Sequence, residues 1–202
     1  MIVRVLGISG SPHRRGNTEQ LLDSFLAGAE EAGAKVEKVV ISTLTYRSCQ
    51  GCNACHKTGV CVIKDDFIPL LTQKVPEADI VALASPIYSM SITSELKSFI
   101  DRAHTMWALK EKLKKVTYSK EHRASHLGFF IGTAGMDRAD IFDYAKPVIT
   151  AFFNGYGLSY PPDNNITAGA MDRYGGIRGH PTALAEAFEA GKAAVGRLKK
   201  ED

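Results

Sequence analysis

The chain has 202 residues, with 25 lysines and arginines against 22 aspartates and glutamates, a formal net charge of +3 and 45% hydrophobic residues. Such a length accommodates one domain, 1–202, with a sizeable core, and the near balance of charge, with no basic block on a recognisable motif, excludes an obvious nucleic-acid binder. No apolar run reaches the roughly 18 residues of a membrane span and the apolar start is too short for a signal peptide, so a cytoplasmic protein without membrane contacts is expected.

Ile2 to Ile8 is a nearly continuous apolar run, the pattern of a strand buried on both faces of a parallel sheet. It leads into the polar loop Ser9-Gly10-Ser11-Pro12-His13-Arg14-Arg15-Gly16-Asn17-Thr18 and then into a helix carrying Leu21, Leu22, Phe25, Leu26, Ala29 and Ala32 at helical spacing. Asn17 with Gln20 resembles a capping box, and Gly33 suits the left-handed end of that helix. A helix N-terminus presents unpaired N–H groups, so this loop suits a phosphate, with Ser9, Ser11, Asn17 and Thr18 as further donors. Its glycine spacing fits neither the dinucleotide fingerprint nor a Walker loop, which leaves a phosphomonoester as the natural guest; a polar turn with a helix cap is the simpler alternative.

Lys35 to Ile41 reads as the second strand, and Asp65 or Asp66 as the cap of a short helix with Phe67, Ile68, Leu70 and Leu71. The third strand, Asp79–Ala84, runs into Ser85-Pro86-Ile87-Tyr88-Ser89-Met90, and Leu96, Phe99, Ile100, Ala103 and Trp107 then share one helical stripe. From Ala108 to His126 periodicity fades and basic residues dominate, as on a solvated face or on a surface that docks an acidic protein. Leu127 to Gly132 gives the fourth strand, followed by the small-residue loop Thr133-Ala134-Gly135 and a helix with Ile141, Phe142, Val148, Ile149, Phe152 and Phe153 that Pro147 should kink or split. Leu158 to Asn165 reads as a proline-interrupted fifth strand, Arg173 to His180 as a glycine-rich loop, and Leu184, Ala187, Phe188, Ala194, Val195 and Leu198 as a closing helix. Five strands alternating with helices predict a doubly wound α/β sandwich of strand order 2-1-3-4-5, with ligands beyond the carboxyl ends of the strands.

All four cysteines fall in one stretch, Cys49, Cys52, Cys55 and Cys61, within a cysteine-rich loop at 47–63. Gaps of two, two and five residues let a loop bring several sulfurs to one point, as in the run with which bacterial ferredoxins hold an iron–sulfur cluster, although here the last gap is longer and no proline follows. Structural zinc, two disulfides and unmetallated thiols are the competing uses. His56, inside this loop, reads as an exposed loop histidine rather than a ligand.

Gly-Ile-Ser-Gly-Ser-Pro with Gly-Asn-Thr, Ser-Pro-Ile-Tyr leading to Leu-Lys-Ser-Phe-Ile-Asp-Arg, and Gly-Thr-Ala-Gly resemble the flavodoxin-like NADPH-dependent FMN reductase superfamily, and the compact cysteine run resembles that of its iron–sulfur flavoproteins. The resemblance implies a three-layer α/β/α fold and an FMN whose phosphate is held by Ser9, Ser11, Asn17 and Thr18. It implies an isoalloxazine lined by Pro86, Ile87, Tyr88 and Ser89 on one side and Thr133, Ala134 and Gly135 on the other. It also implies a 4Fe-4S cluster on Cys49, Cys52, Cys55 and Cys61, a homodimer or homotetramer, and electron flow from a ferredoxin-like donor through cluster and FMN to a small acceptor. Catalysis would be cofactor-based, with no catalytic side chain. The alternative is an NAD(P)H-dependent FMN or quinone reductase, with NADPH as donor and cysteines that carry no cluster.

Overall fold

The computed structural model describes residues 2–199. Its centre is a parallel sheet of five strands, β1 (Arg4–Ser9), β2 (Lys35–Val40), β3 (Ile80–Pro86), β4 (Leu127–Thr133) and β5 (Asn165–Ala168), in the expected order β2-β1-β3-β4-β5. Every residue of β3 and β4 is buried, as central strands covered on both faces require. The main helices are α1 (Asn17–Glu31), α2 (residues 67–77, with wider i+5 bonding over Leu70–Lys74), α3 (Ser94–Arg102), α4 (Lys146–Gly155) and α5 (Ala183–Lys199).

Alternation along the strands divides the core between the two faces of the sheet. Leu6, Ile8, Val81, Leu83 and Phe130 pack with residues of α2, α3 and α4, including Leu71, Phe99 and Phe152. Val5, Ile80, Ala82, Ala84, Phe129 and Ile131 pack with α1 and α5 through Leu21, Phe25, Ala187 and Val195. The fully buried Phe25, Phe67, Phe99, Phe130 and Phe153 each contribute roughly 1.5–3 kcal/mol of burial. α1 and α5 touch backbone to backbone, since a Cβ at Gly28 would lie 1.9 Å from the Phe188 carbonyl oxygen and one at Gly191 1.9 Å from that of Phe25.

Several boundaries differ from the sequence reading. The N-cap of α1 is Gly16, with Asn17 already inside the first turn, because the Asn17 side chain is drawn away to the Ile177 N–H and the Gln20 amide turns back to the Arg15 carbonyl. Gly33, at φ +83°, does follow the helix end. The fifth strand is not Leu158–Asn165: Pro161 and Pro162 lead into a single 3-10 turn, and regular pairing begins only at Asn165, with Ser159 making one isolated bridge to Leu127. Pro147 starts α4 rather than kinking it, the preceding residues forming turns. The stretch read as a loop after β5 holds two short helical turns, Met171–Tyr174 and Ile177–Gly179. Trp107 leaves the buried stripe, since α3 ends at Arg102 and a new turn begins at His104, leaving the indole 39% exposed.

Candidate cofactor sites

The exits of β1, β3 and β4 and the turn after β5 surround one cleft of about 490 Å³, within the range of small-ligand pockets. Ser11, Asn17, Thr18, Pro86, Ile87, Tyr88, Thr133, Ala134 and Gly135 all line it. Ser89 lies next door, in a hollow that shares Ile87, Ala134 and Gly135 with the cleft. Ser9 stands behind the wall, wholly buried, its Oγ without a hydrogen-bond partner among the described residues.

Local chemistry shapes the rim. Arg15 adopts a left-handed conformation, φ 56°, and its N–H donates to Glu19 Oε2 at 2.7 Å. Glu19 is buried in the first turn of α1; burial pushes its carboxyl up, but the Arg15 N–H and Lys38 outweigh this and hold it below the usual range. Buttressed in this way, the loop leaves the first N–H groups of α1 at the cleft. With Oδ1 accepting from the Ile177 N–H, the Asn17 amide keeps its Nδ2 donor free for the cleft. The Thr18 and Thr133 hydroxyls meet at 2.5 Å, joining the start of α1 to the end of β4.

Opposite, Ser89 and Met90 occupy left-handed conformations in a tight turn closed by reciprocal Tyr88–Ser91 hydrogen bonds, which presents a half-exposed Tyr88. Thr93 fixes this turn to the first loop: its Oγ1 donates to the Gly10 carbonyl at 2.6 Å while accepting from the Leu96 N–H that it caps. Gly10 must lack a side chain, because a Cβ there would come within 2.5 Å of the Leu96 Cβ. Sequence reading missed His13, Arg15, Gln20, Met171 and Asp172 as further lining; Asp172 had no signal, since backbone pairing of Ala170, Met171 and Asp172 with the Met136, Ala134 and Gly135 carbonyls brings it to the cleft.

The four cysteines are free thiols lining one hollow, together with Arg102, His104 and Thr105. Left-handed Gly51 and Asn53 curl the loop between Cys49 and Cys55. Burial pushes the Cys55 thiol up, and the sulfurs of Cys49, Cys61 and Cys52 add to the effect, as a crowd of like charges does. Such a donor set fits a cationic metal centre, which stabilises thiolates that the protein alone disfavours.

The loop is gripped at its base by Arg102, which sequence reading quoted only as part of a motif. Its guanidinium donates to the Arg47 carbonyl at 2.7 Å, the Ile63 carbonyl at 3.1 Å and both oxygens of Asp65. Asp65 also accepts from the Arg47 and Phe67 N–H groups, so its side chain, and not that of Asp66 at the N-cap position, satisfies the first N–H of α2. His56 is half-buried rather than exposed: its Nε2 lies 2.8 Å from Nε2 of His104, whose ring stacks on Trp107 at 4.8 Å. Burial, then the proximity of His56, holds His104 below the usual imidazole range.

A five-stranded parallel sheet of this order with a ligand cleft at its carboxyl edge defines a flavodoxin-like α/β protein. Residues 3–141 match the model of the NADPH-dependent FMN reductase family, and the chain belongs to that family. An iron–sulfur flavoprotein of Archaeoglobus fulgidus is 43% identical over 100 residues, 50% of this chain and 45% of that protein. One of Methanocaldococcus jannaschii is 36% identical over 104 residues, 52% of this chain and 53% of its own. The chain thus spans about half the length of the curated relatives it matches. The structure of an NAD(P)H:quinone oxidoreductase from Methanothermobacter marburgensis superimposes with TM-score 0.67 at 15% identity, covering 100% of this chain and 98% of that one, a likeness of fold. No helix among the described residues is long and apolar enough to cross a membrane.

Proposed function

We propose that the protein is a flavin-dependent oxidoreductase that binds FMN in the cleft and a 4Fe-4S cluster on Cys49, Cys52, Cys55 and Cys61. The observation that carries this reading is the convergence of four free thiols on one hollow, in a chain whose strand exits build a phosphate-ready cleft. When bound, flavin exchanges one or two electrons and a cluster one, so the pair links single-electron delivery to two-electron reduction. The first turn of α1, with Ser11 and Thr18, holds the phosphate; Pro86 to Tyr88 and Thr133 to Gly135 clasp the ring. Arg102 holds the cysteine loop shut at its base and places a cation beside Cys61.

Exposed Cys49 and Cys52, with exposed Tyr88, Trp107 and Met136, support a homodimer or homotetramer in which a second subunit covers the thiols. The basic stretch after Trp107, with Lys110, Lys112, Lys114 and Lys115, suits a ferredoxin-like donor in the cytoplasm. A second reading, direct NADPH reduction of the flavin with cysteines free of cluster, is favoured by the family's description. Iron, acid-labile sulfide and flavin measured on protein purified without oxygen separate the two. About four irons and four sulfides per FMN are expected; flavin without iron or sulfide, bleached directly by NADPH, overturns the cluster reading.

A further inference from the structure

We propose that the carboxylate of Asp172 sets the charge that the cleft accepts on its cofactor ring, favouring the oxidised, neutral form of FMN over the reduced, anionic one. The proposal rests on the reading that the cleft holds FMN, and it takes nothing from the four-thiol centre. Asp172 lines both the cleft and the hollow beside it, two spaces that also share Ile87, Ala134 and Gly135. The Ala170, Met171 and Asp172 N–H groups donate to the Met136, Ala134 and Gly135 carbonyls at 3.0, 3.0 and 3.2 Å. Asp172 is thereby fastened to the loop after β4, one of the two that would clasp the ring. A Cβ on Gly135 would lie 2.7 Å from Asp172 Oδ2 and 2.9 Å from Oδ1. The carboxylate thus fills the space that a side chain at residue 135 would take.

No cation offsets this charge among the described residues. Arg173, next in the chain, turns to Asp137 at 2.5 Å, and Arg138 is held by both oxygens of Asp140. Asp172 is the one ionisable side chain on the wall of the hollow, whereas His13 and Arg15 belong to the phosphate loop. Two electrons and one proton turn the neutral flavin ring into an anion, and a fixed charge near the ring tunes that equilibrium. An unpaired carboxylate repels the anion and leaves the neutral ring almost unaffected. The bound flavin is then the stronger reductant toward its acceptor.

The test titrates the full chain, freed of flavin, with oxidised FMN and, without oxygen, with dithionite-reduced FMN. The unaltered chain is expected to bind the oxidised form more tightly. Asp172→Asn should tighten reduced FMN about tenfold while oxidised FMN changes less than about twofold. By linkage, the two-electron midpoint potential of the bound flavin then rises by about 30 mV. Asp172→Glu, which keeps the charge, should retain the preference for the oxidised form. A merely structural role would move both affinities together. Equal changes in the two affinities, or an unchanged ratio in Asp172→Asn, overturn the proposal and leave the flavin reading standing. Failure of the unaltered chain to bind either form overturns both. Should Asp172→Asn fail to fold, Asp172→Ser, which keeps the backbone pairing, is read in the same way.

Discussion

Arg102 and Asp65 form a two-pronged ion pair inside the protein, with Nη1 2.6 Å from Oδ2 and Nη2 3.1 Å from Oδ1 and side chains only 1% and 7% exposed. Removing one partner of such a pair strands the other's charge. Arg102→Leu is expected to destabilise the fold by about 3–5 kcal/mol, read by urea unfolding, and to cost the protein its iron before its flavin. Replacing both residues with apolar ones of similar volume should recover part of that loss, because no unpaired charge then remains.

The same pair gives a pH dependence of known sign. Burial alone would raise the Asp65 carboxyl, but Arg102 and the Arg47 N–H overcome it and hold it below the ordinary value. The unfolded chain therefore binds the proton first as pH falls. The stabilisation is fully present above the unfolded carboxylate pKa, about 3.9, and is lost as pH drops through the lower folded value. Unfolding free energy measured against pH should show a shallower acid limb in Asp65→Asn than in the unaltered protein.

Thr18→Val should weaken FMN by about 1–3 kcal/mol, since it removes a donor at the start of α1 and leaves the buried Thr133 hydroxyl without its partner. Flavin fluorescence titration measures this directly. Unchanged affinity would move the phosphate away from the first turn of α1.

Cys52→Ala should abolish iron and sulfide binding while FMN is retained, because the hollow lined by the thiols shares no residue with the cleft. Metal and flavin analysis of one preparation checks both halves of that statement. Loss of both together would contradict the separation of the sites.

Gly191→Ala tests the crossing of α1 and α5. Its Cβ would press on the Phe25 carbonyl, a backbone atom that cannot rotate away, so a loss of about 1–3 kcal/mol is expected. A thermal unfolding curve would register the change, and a neutral result would mean that the helices separate freely.

Much of this architecture could be read from the residues. Apolar runs at regular intervals located the strands, their alternation with helices gave the sheet order, and the loop from Ser9 to Thr18 pointed to the cleft that Ser11, Asn17 and Thr18 line, because strand, polar loop and helix follow one another without interruption. What escaped were relationships between distant residues. Arg102 entered the sequence reading only as part of a motif, yet it is wholly buried because carbonyls from the two ends of the cysteine loop and the Asp65 carboxylate just beyond it converge on its guanidinium. His56 looked exposed because its partner is 48 residues further on. Leu158 to Asn165 carried strand-like residues, but two consecutive prolines withheld the N–H groups that a ladder needs, and pairing waited for Asn165. Asp172 gave no local cue at all, its place being set by the backbone hydrogen bonds that carry residues 170 to 172 to the loop after β4.

The grip of one guanidinium on the carbonyls of residues 47 and 63 makes the intervening segment a cassette. Both of its ends are fixed to the same point of the scaffold, and no strand of the sheet enters it. Closing a loop costs only about 0.6 kcal/mol more for each doubling of its length. A short turn between those two anchors would leave the sheet and its cleft in place, and the segment grafted with its arginine and aspartate onto a related frame would carry its thiols along.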